Sequence, residues 1–308
     1  MNSDSAVYYK ILAAYRLGLR GTDLEEILCQ PVIYDKWSSK GKTTDESKAG
    51  AARILLEGYA YFGFPQLIYS TWQEYQNILP EETHFYLADF LQKISKADGS
   101  DDYYTQSLRI ASRGQKYCAN QLTKEQISLV YPKDYSELIE TYSKKYDIKE
   151  SVVYALIRSE SFFDANVTSS AGAIGLTQLM EFTGSDVAKR LRIEDYDLTD
   201  PEISINFGTW YLSELVKRCD GSLLQGFFSY NAGITRVRRW LQSSLIEFGK
   251  KQDMPVDLFL ETLPYAETRE YGRKLVSATV MYEWLEHPQD SQSDIFYSTV
   301  DTLINYQK

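Results

Sequence analysis

The sequence predicts an all-α protein, and three observations carry that prediction. Apolar residues recur at spacings of three and four along most of the chain, the signature of helices with one buried face. Strand signals are nearly absent. Gly and Pro punctuate the periodic segments, as at GFP (63–65), Pro132, Pro201 and Gly233.

Taken in order, Ala6 to Arg20 is an amphipathic helix. Lys48 to Leu79 is a long helical stretch broken at GFP. Helices over His84 to Lys96 and Asp102 to Tyr117 follow. Successive helices of similar length suggest a solenoid-like superhelix of the tetratricopeptide kind, although no strict consensus repeat is present. From Val130 the texture changes. Pro132 opens a new unit, and a helix runs from Tyr135 to Lys145. A second starts at Lys149 and reaches Glu160, where Asp164, Asn166 and TSSAG break the pattern. Another is expected from Leu176 to Leu191. In TDPEISINFGTWYLSELVKR, Thr199 or Asp200 caps, Pro201 occupies the first turn, and Ile203, Phe207, Trp210 and Tyr211 form the buried face. SLLQGFFSYNAG makes a buried helix ending at Asn231 and Gly233, and TRVRRWL is short and basic. FLETLPYAETREYGRKLVSATVMYEWL gives a loop and a long helix. The expected organisation is a helical superhelical or linker domain over 1–128 and a second helical domain over 129–308.

Composition narrows the function. A chain of 308 residues with 44% hydrophobic and 25% charged residues is a folded protein of about two domains. Net charge is −10 and no basic stripe stands out, which argues against nucleic acid as partner. Cys29, Cys118 and Cys219 are odd in number and far apart, offering neither a disulfide framework nor metal-ligand spacing. With two histidines, His84 and His287, neither a zinc site nor a Ser-His-Asp triad is expected, and no cofactor is implied. DGSDD at 98–102 resembles a calcium loop only faintly and reads as a solvated turn. Tyrosine is abundant, at 25 copies, which suits sugar stacking and partner docking but equally suits helical cores. No apolar run approaches the ~20 residues of a membrane span. MNSDSAVYYK has no signal-peptide core, so the protein is either cytoplasmic or carries its targeting segment outside this sequence.

Glu160 is the residue that asks for chemistry. Val153, Leu156, Ile157 and Glu160 fall at i, i+3, i+4 and i+7 on one helix face, with Ser151 and Arg158 on the opposite, solvated face. One reading is that Glu160 lies a turn past the core and reaches water, or pairs with Arg or Lys. The other is an acid with a raised pKa. Apolar neighbours and the negative end of a helix dipole both disfavour the charged form. A free Glu titrates near ~4.3. Raised by roughly a unit or two, it holds a proton near neutral pH and can donate it, as glycosidic cleavage requires.

Five blocks then decide the expectation: Glu160–Ser161, Ser169–Met180 (SxxGAxGLxQLM), Asp200–Leu215 (DPExxIxxGxxYLxEL), Tyr230–Gly233 (YNAG) and Glu261–Tyr271 (ExLPYxETRxY). In this order and spacing over about residues 131–285, the chain resembles the soluble lytic transglycosylases of bacterial cell walls. The resemblance implies a lysozyme-like α-helical catalytic domain. It implies cleavage of the β-1,4 bond between N-acetylmuramic acid and N-acetylglucosamine in peptidoglycan, leaving a 1,6-anhydro end. Glu160 matches the single catalytic acid and base. Ser169 and Gln178 match sugar-binding residues, and Met180 matches a groove residue. Tyr230 matches a tyrosine near the acid, and Glu261 a second acid with a binding role.

Each also has a plain structural reading. Ser169 is equally a turn residue or cap, Gln178 a partner for backbone groups, Met180 a core filler, and Tyr230 a core aromatic with a bonded hydroxyl. Glu261 is equally a cap or an ion-pair partner of Arg269 or Arg273. Gly172 and Gly175 read as structural.

Several positions depart from the family pattern: Ser159 before the acid, Thr177 where Met is usual, Glu181 and Gly184 after the LM pair, and Ile234–Thr235 after YNAG. Thr177 and Ser159 are expected nearest the groove. The substrate class implies glycan strands as partner and a periplasmic or cell-envelope location. The N-terminal helices are expected to dock cell-wall synthesis or division proteins. A goose-type lysozyme-like hydrolase and an inactive wall-binding scaffold are the competing readings.

Overall fold

The computed structural model describes residues 3–31, 46–98, 101–242, 260–287 and 289–304. It is all-α apart from one short hairpin, and it divides into two compact units.

One unit spans Glu26–Pro132 and includes Phe162–Asp164. Its helices are α3 (Glu46–Tyr61), α4 (Ile68–Tyr75), α5 (Glu81–Asp98), α6 (Asp101–Tyr117) and α7 (Lys124–Val130), and α2 (Gly21–Cys29) leads into it. The break expected at GFP is present. Gly63 takes a positive φ, and Pro65 opens a single 3₁₀ turn before α4. Leu56, Ile68, Leu87, Leu91 and Leu108 are fully buried among these helices. Trp72 donates from Nε1 to His84 Nδ1 at 2.9 Å inside this core. Burial first, and the Arg113 charge second, push the His84 imidazole down to about 4. It is therefore a neutral packing partner. Thr123 and Gln126 close a reciprocal capping box on α7. Of the DGSDD stretch, residues 99–100 lie outside the described residues; Asp98 ends α5 and Asp101 begins α6.

The other unit gathers the described residues of 2–25, 133–161 and 165–308. Its helices are α1 (Ser3–Leu17), α8 (Ser136–Tyr146), α9 (Glu150–Ser161), α10 (Glu181–Leu191), α11 (Pro201–Arg218), α12 (Leu223–Ala232), α13 (Ile234–Gln242), α14 (Ala266–Glu286) and α15 (Gln289–Ile304). Strands β1 (Ala173–Ile174) and β2 (Leu179–Met180) pair antiparallel, Ala173 opposite Met180. α9 packs along α14 and against α8. This corrects the amphipathic reading of α9. Ser151 and Arg158, expected in solvent, are buried, and Ser151 donates to Glu283 at 2.6 Å. Val153, Leu156 and Ile157 are wholly buried, each stabilising by about 1.5–3 kcal/mol.

The helix expected from Leu176 starts only at Glu181. Gly175 and Gln178 take positive φ and fold Leu176–Met180 into the hairpin instead. On α11 the cap is Asp200, which accepts from the Ile203 N–H at 3.0 Å. Phe207 lies at the centre of its buried face, with Ile203, Trp210 and Tyr211 half-buried around it. α15 lies beyond the last element expected, yet Phe296, Val300, Leu303 and Ile304 carry a helical spacing and are buried. α1 packs against α14 and is tied to α15, where Gly21 N–H donates to Ser293 and Arg20 stacks over Tyr297. Among the described residues no helix is long and apolar enough to cross a membrane.

Gly175 is where the hairpin admits no side chain. Its φ is +78°, and a Cβ would lie 1.9 Å from the Leu198 carbonyl oxygen. Gly175→Ala is expected to destabilise the protein by at least ~2 kcal/mol, from left-handed strain plus the steric clash. Urea unfolding of the two proteins measures it; equal midpoints would show that the loop relaxes freely.

Candidate active site

Glu160 sits in the last turn of α9, half-buried. Its Oε1 accepts a hydrogen bond from the Tyr271 hydroxyl of α14 at 2.5 Å. Burial is the larger influence on its carboxyl and disfavours the charge; the Tyr271 bond and the Lys274 charge oppose it. The outcome is a pKa pushed up to about 7. This is the perturbed acid that the helix pattern suggested, with desolvation as the main cause.

Tyr230 of α12 and Tyr271 both lie in the field of Glu160. Burial first, and the Glu160 charge second, push both phenols well above their ordinary range, so both remain hydrogen-bond donors. Their bonds differ. Tyr230 donates to the Thr177 carbonyl at 2.8 Å and packs on the Tyr211 ring at 5.3 Å between centroids. Tyr271, not Tyr230, binds the carboxyl directly. Tyr271 was not among the expected site residues, although it closes the Glu261–Tyr271 block. Nothing in one sequence tells which of two tyrosines reaches the acid.

The remaining candidates fall into two groups. Three belong to the hairpin loop. Ser169 Oγ accepts from the Ala173 N–H at 3.0 Å, so this side chain closes its own turn. Gln178 donates from Nε2 to the Val167 carbonyl at 3.0 Å and the Gly175 carbonyl at 2.9 Å, which ties the loop together. Met180 is half-buried at the end of β2 and occupies the N-cap position of α10 without a side-chain capping bond. Because Tyr230 holds the Thr177 carbonyl, this loop is fastened to a residue in the field of Glu160. The other group is Glu261, whose carboxylate pairs with Arg273 and accepts from Tyr9 at 2.8 Å. Burial pushes its pKa up, but Arg273 and Tyr9 outweigh it and hold it below the usual value.

Thr177 corrects an expectation. Its side chain does not line a groove: it is fully buried, and Oγ1 donates to the Ser204 carbonyl at 2.9 Å. A Cβ at Gly208 would come within 2.4 Å of it, so the small residue on α11 makes room for Thr177. Ser159 is half-buried beside Glu160. Among the described residues no cluster of His, Cys, Asp and Glu is placed to hold a metal ion, and the three cysteines are buried and not joined in a disulfide.

A half-shielded carboxyl near neutrality, with one oxygen held by a phenol, is a proton donor and acceptor in waiting. Residues 137–252 match the Transglycosylase SLT domain family. This part of the chain is similar to a Transglycosylase SLT domain. A soluble lytic murein transglycosylase of Salmonella typhimurium is 33% identical over 156 residues, 49% of this chain and 23% of the relative. The chain thus spans under a quarter of that protein's length. Among solved structures, the 70 kDa soluble lytic transglycosylase of Escherichia coli aligns over 92% of this chain and 42% of its own, at 22% identity and a TM-score of 0.64. The lytic transglycosylase Slt of Pseudomonas aeruginosa, solved as an inactive glutamate-to-glutamine mutant, covers 89% of this chain and 40% of its own at 21% identity and a TM-score of 0.62. Both likenesses show the fold, and Glu160 lies within the matched segment 137–252.

The pKa of Glu160 links to stability. The carboxyl holds its proton to about 7 when folded, against an ordinary 4.5. The native state therefore binds the proton more tightly. The stability so gained is complete below the unfolded pKa and is lost as pH rises to the folded one, a loss of roughly 3 kcal/mol. Glu160→Gln removes the titration and keeps an acceptor for Tyr271. It is expected to exceed the wild type in stability by ~2–3 kcal/mol at pH 8 and to match it near pH 4. Thermal unfolding at the two pH values reads this; a variant less stable at pH 8 would refute the burial argument.

Proposed function

We propose that the protein is a peptidoglycan lytic transglycosylase, with Glu160 as its one general acid and base. The observation that carries this reading is the Glu160 carboxyl, half-buried, bonded to Tyr271 and raised to about 7, inside the segment that matches the SLT domain family. The Pseudomonas aeruginosa enzyme, inactive as a glutamate-to-glutamine mutant, supports an essential glutamate.

The geometry supports the chemistry of this reading. Tyr271 donates to Oε1, which leaves Oε2 as the oxygen that carries the proton. Glu160 gives that proton to the oxygen leaving C1 of N-acetylmuramic acid as the C1–O bond breaks. The resulting carboxylate then takes the proton of the same sugar's C6 hydroxyl as its oxygen closes on C1. The enzyme ends protonated as it began, and the product is a 1,6-anhydro end and a free 4-hydroxyl. No second carboxylate nucleophile takes part, unlike the common two-carboxylate scheme. Glu261 suits that division of labour, since Arg273 and Tyr9 already hold its carboxylate.

In this reading Gln178, Met180 and Tyr230 shape the glycan groove through the hairpin loop. Ser169 and Glu261 bind substrate indirectly, by holding the backbone and helix that frame it. The protein acts in the cell envelope, where peptidoglycan lies. The N-terminal helical region supplies docking for cell-wall synthesis or division proteins; exposed Ile54, Tyr61 and Phe62 support that role.

Mass spectrometry of digested sacculi is the test. Anhydro-muropeptides are expected from the wild type, with Glu160→Gln lowering their yield by roughly 10²–10⁴-fold or more. Reducing ends alone would make the enzyme a hydrolase, and no cleavage would remove the enzyme reading. Activity is also expected to fall along an alkaline limb centred at about 7, as Glu160 loses its proton before the first step. A rate flat to pH 9 would contradict the acid role.

A further inference from the structure

The N-terminal helix reaches the machinery around Glu160 from the far end of the chain. Tyr9 of α1 donates to Glu261 Oε1 at 2.8 Å. Arg273 of α14 donates from Nε to the same oxygen at 3.3 Å, and a second nitrogen binds Oε2. The guanidinium also binds Glu270 and lies 5.5 Å from the centre of the Tyr9 ring. Its side chain is only 9% exposed. A guanidinium so shielded is held by all of its partners, because a buried charge left short of one is costly.

The place of Arg273 on α14 gives the clamp its consequence. At 100° per residue, Tyr271 and Lys274 are one helical turn apart and share a face, while Arg273 lies nearly opposite Tyr271. Tyr271 and Lys274 are the groups of α14 that act on Glu160, and Tyr230 of α12 also lies in its field. Rotation of α14 about its axis changes both the Tyr271 bond and the Lys274 distance. The clamp on the opposite side prevents that rotation.

We infer that Tyr9 is a positioning residue for Glu160: through Glu261 and Arg273 it sets the rotation of α14, and with it the Tyr271–Glu160 hydrogen bond. The inference builds on the proposed acid role of Glu160, but part of its test needs no turnover. Loss of the clamp weakens two influences that lower the Glu160 carboxyl, so its titration moves to higher pH.

The experiment compares Tyr9→Phe and Arg273→Lys with Tyr297→Phe in the full chain. Tyr297 bonds the Ala14 and Leu19 carbonyls and secures α1 against α15 without touching the clamp. The Glu160 carboxyl is followed by carbon-13 NMR, assigned by its absence in Glu160→Gln, and anhydro product by its pH profile. Tyr9→Phe and Arg273→Lys are expected to raise the titration and the alkaline limb by roughly half a unit. They are expected to lower kcat several-fold with KM unchanged, because only the acid is misplaced. Tyr297→Phe is expected to lower the melting temperature alone. If Tyr9→Phe loses stability with no shift in titration, or Tyr297→Phe shifts it equally, α1 is merely structural and the inference fails. If the wild type cleaves no glycan, the proposed activity fails, while the NMR titration still decides the role of Tyr9.

Discussion

The architecture of the second unit turns on the desolvation of one carboxyl. A carboxylate withdrawn from water is held in its charged form only if the protein replaces the lost hydration. Around Glu160 that replacement is incomplete. Tyr271 gives one hydrogen bond and Lys274 a positive charge, and burial outweighs both. The balance leaves an acid that is protonated for a substantial part of the time at neutral pH. A stronger partner, such as the guanidinium that holds Glu261, would have produced a permanent anion instead. The two glutamates show how differently one residue type behaves under opposite local balances.

Keeping the balance requires rigid surroundings. α9 is buried on all sides by α8, α14 and their neighbours, so Glu160 projects from a helix with little freedom to shift. The hairpin loop is pinned from several directions: Gln178 to two carbonyls, Thr177 to Ser204, and Tyr230 to the Thr177 carbonyl. Gly175 admits the Leu198 carbonyl where a methyl group would collide, and Gly208 admits Thr177. The threonine that departs from the family pattern is thus matched by the packing and hydrogen bonding beneath it. α1 belongs to the same framework, since Tyr9 joins Glu261 and Arg273 behind the face of α14 that carries Tyr271.

Much of this was readable from residue order. The helical period, the Pro201 and Asp200 start of α11, and the break at GFP are local effects, and local physics decides them. Glu160 stood out because a carboxylate on an apolar stripe conflicts with its neighbours. The misreadings had non-local causes. Ser151 and Arg158 were expected in solvent because an amphipathic rule assumes one wet face, and α9 has none. Leu176–Met180 was expected in a helix because its apolar content fits one, but positive φ at Gly175 and Gln178 turns it into a hairpin. Thr177 was expected at the groove, yet its hydroxyl finds Ser204, twenty-seven residues away.

The sequence by itself determined the all-helical class, the capped start of α11 and the placing of Glu160 on an apolar helix stripe. Each depends on side chains within a few turns of one another. Only the tertiary structure decided that Tyr271 rather than Tyr230 binds that carboxyl, that Glu261 is held by Arg273 and Tyr9, and that α1 packs with the helices around Glu160. These pairings join residues as much as 252 positions apart. Their strength comes from burial, which exists only once the helices have packed.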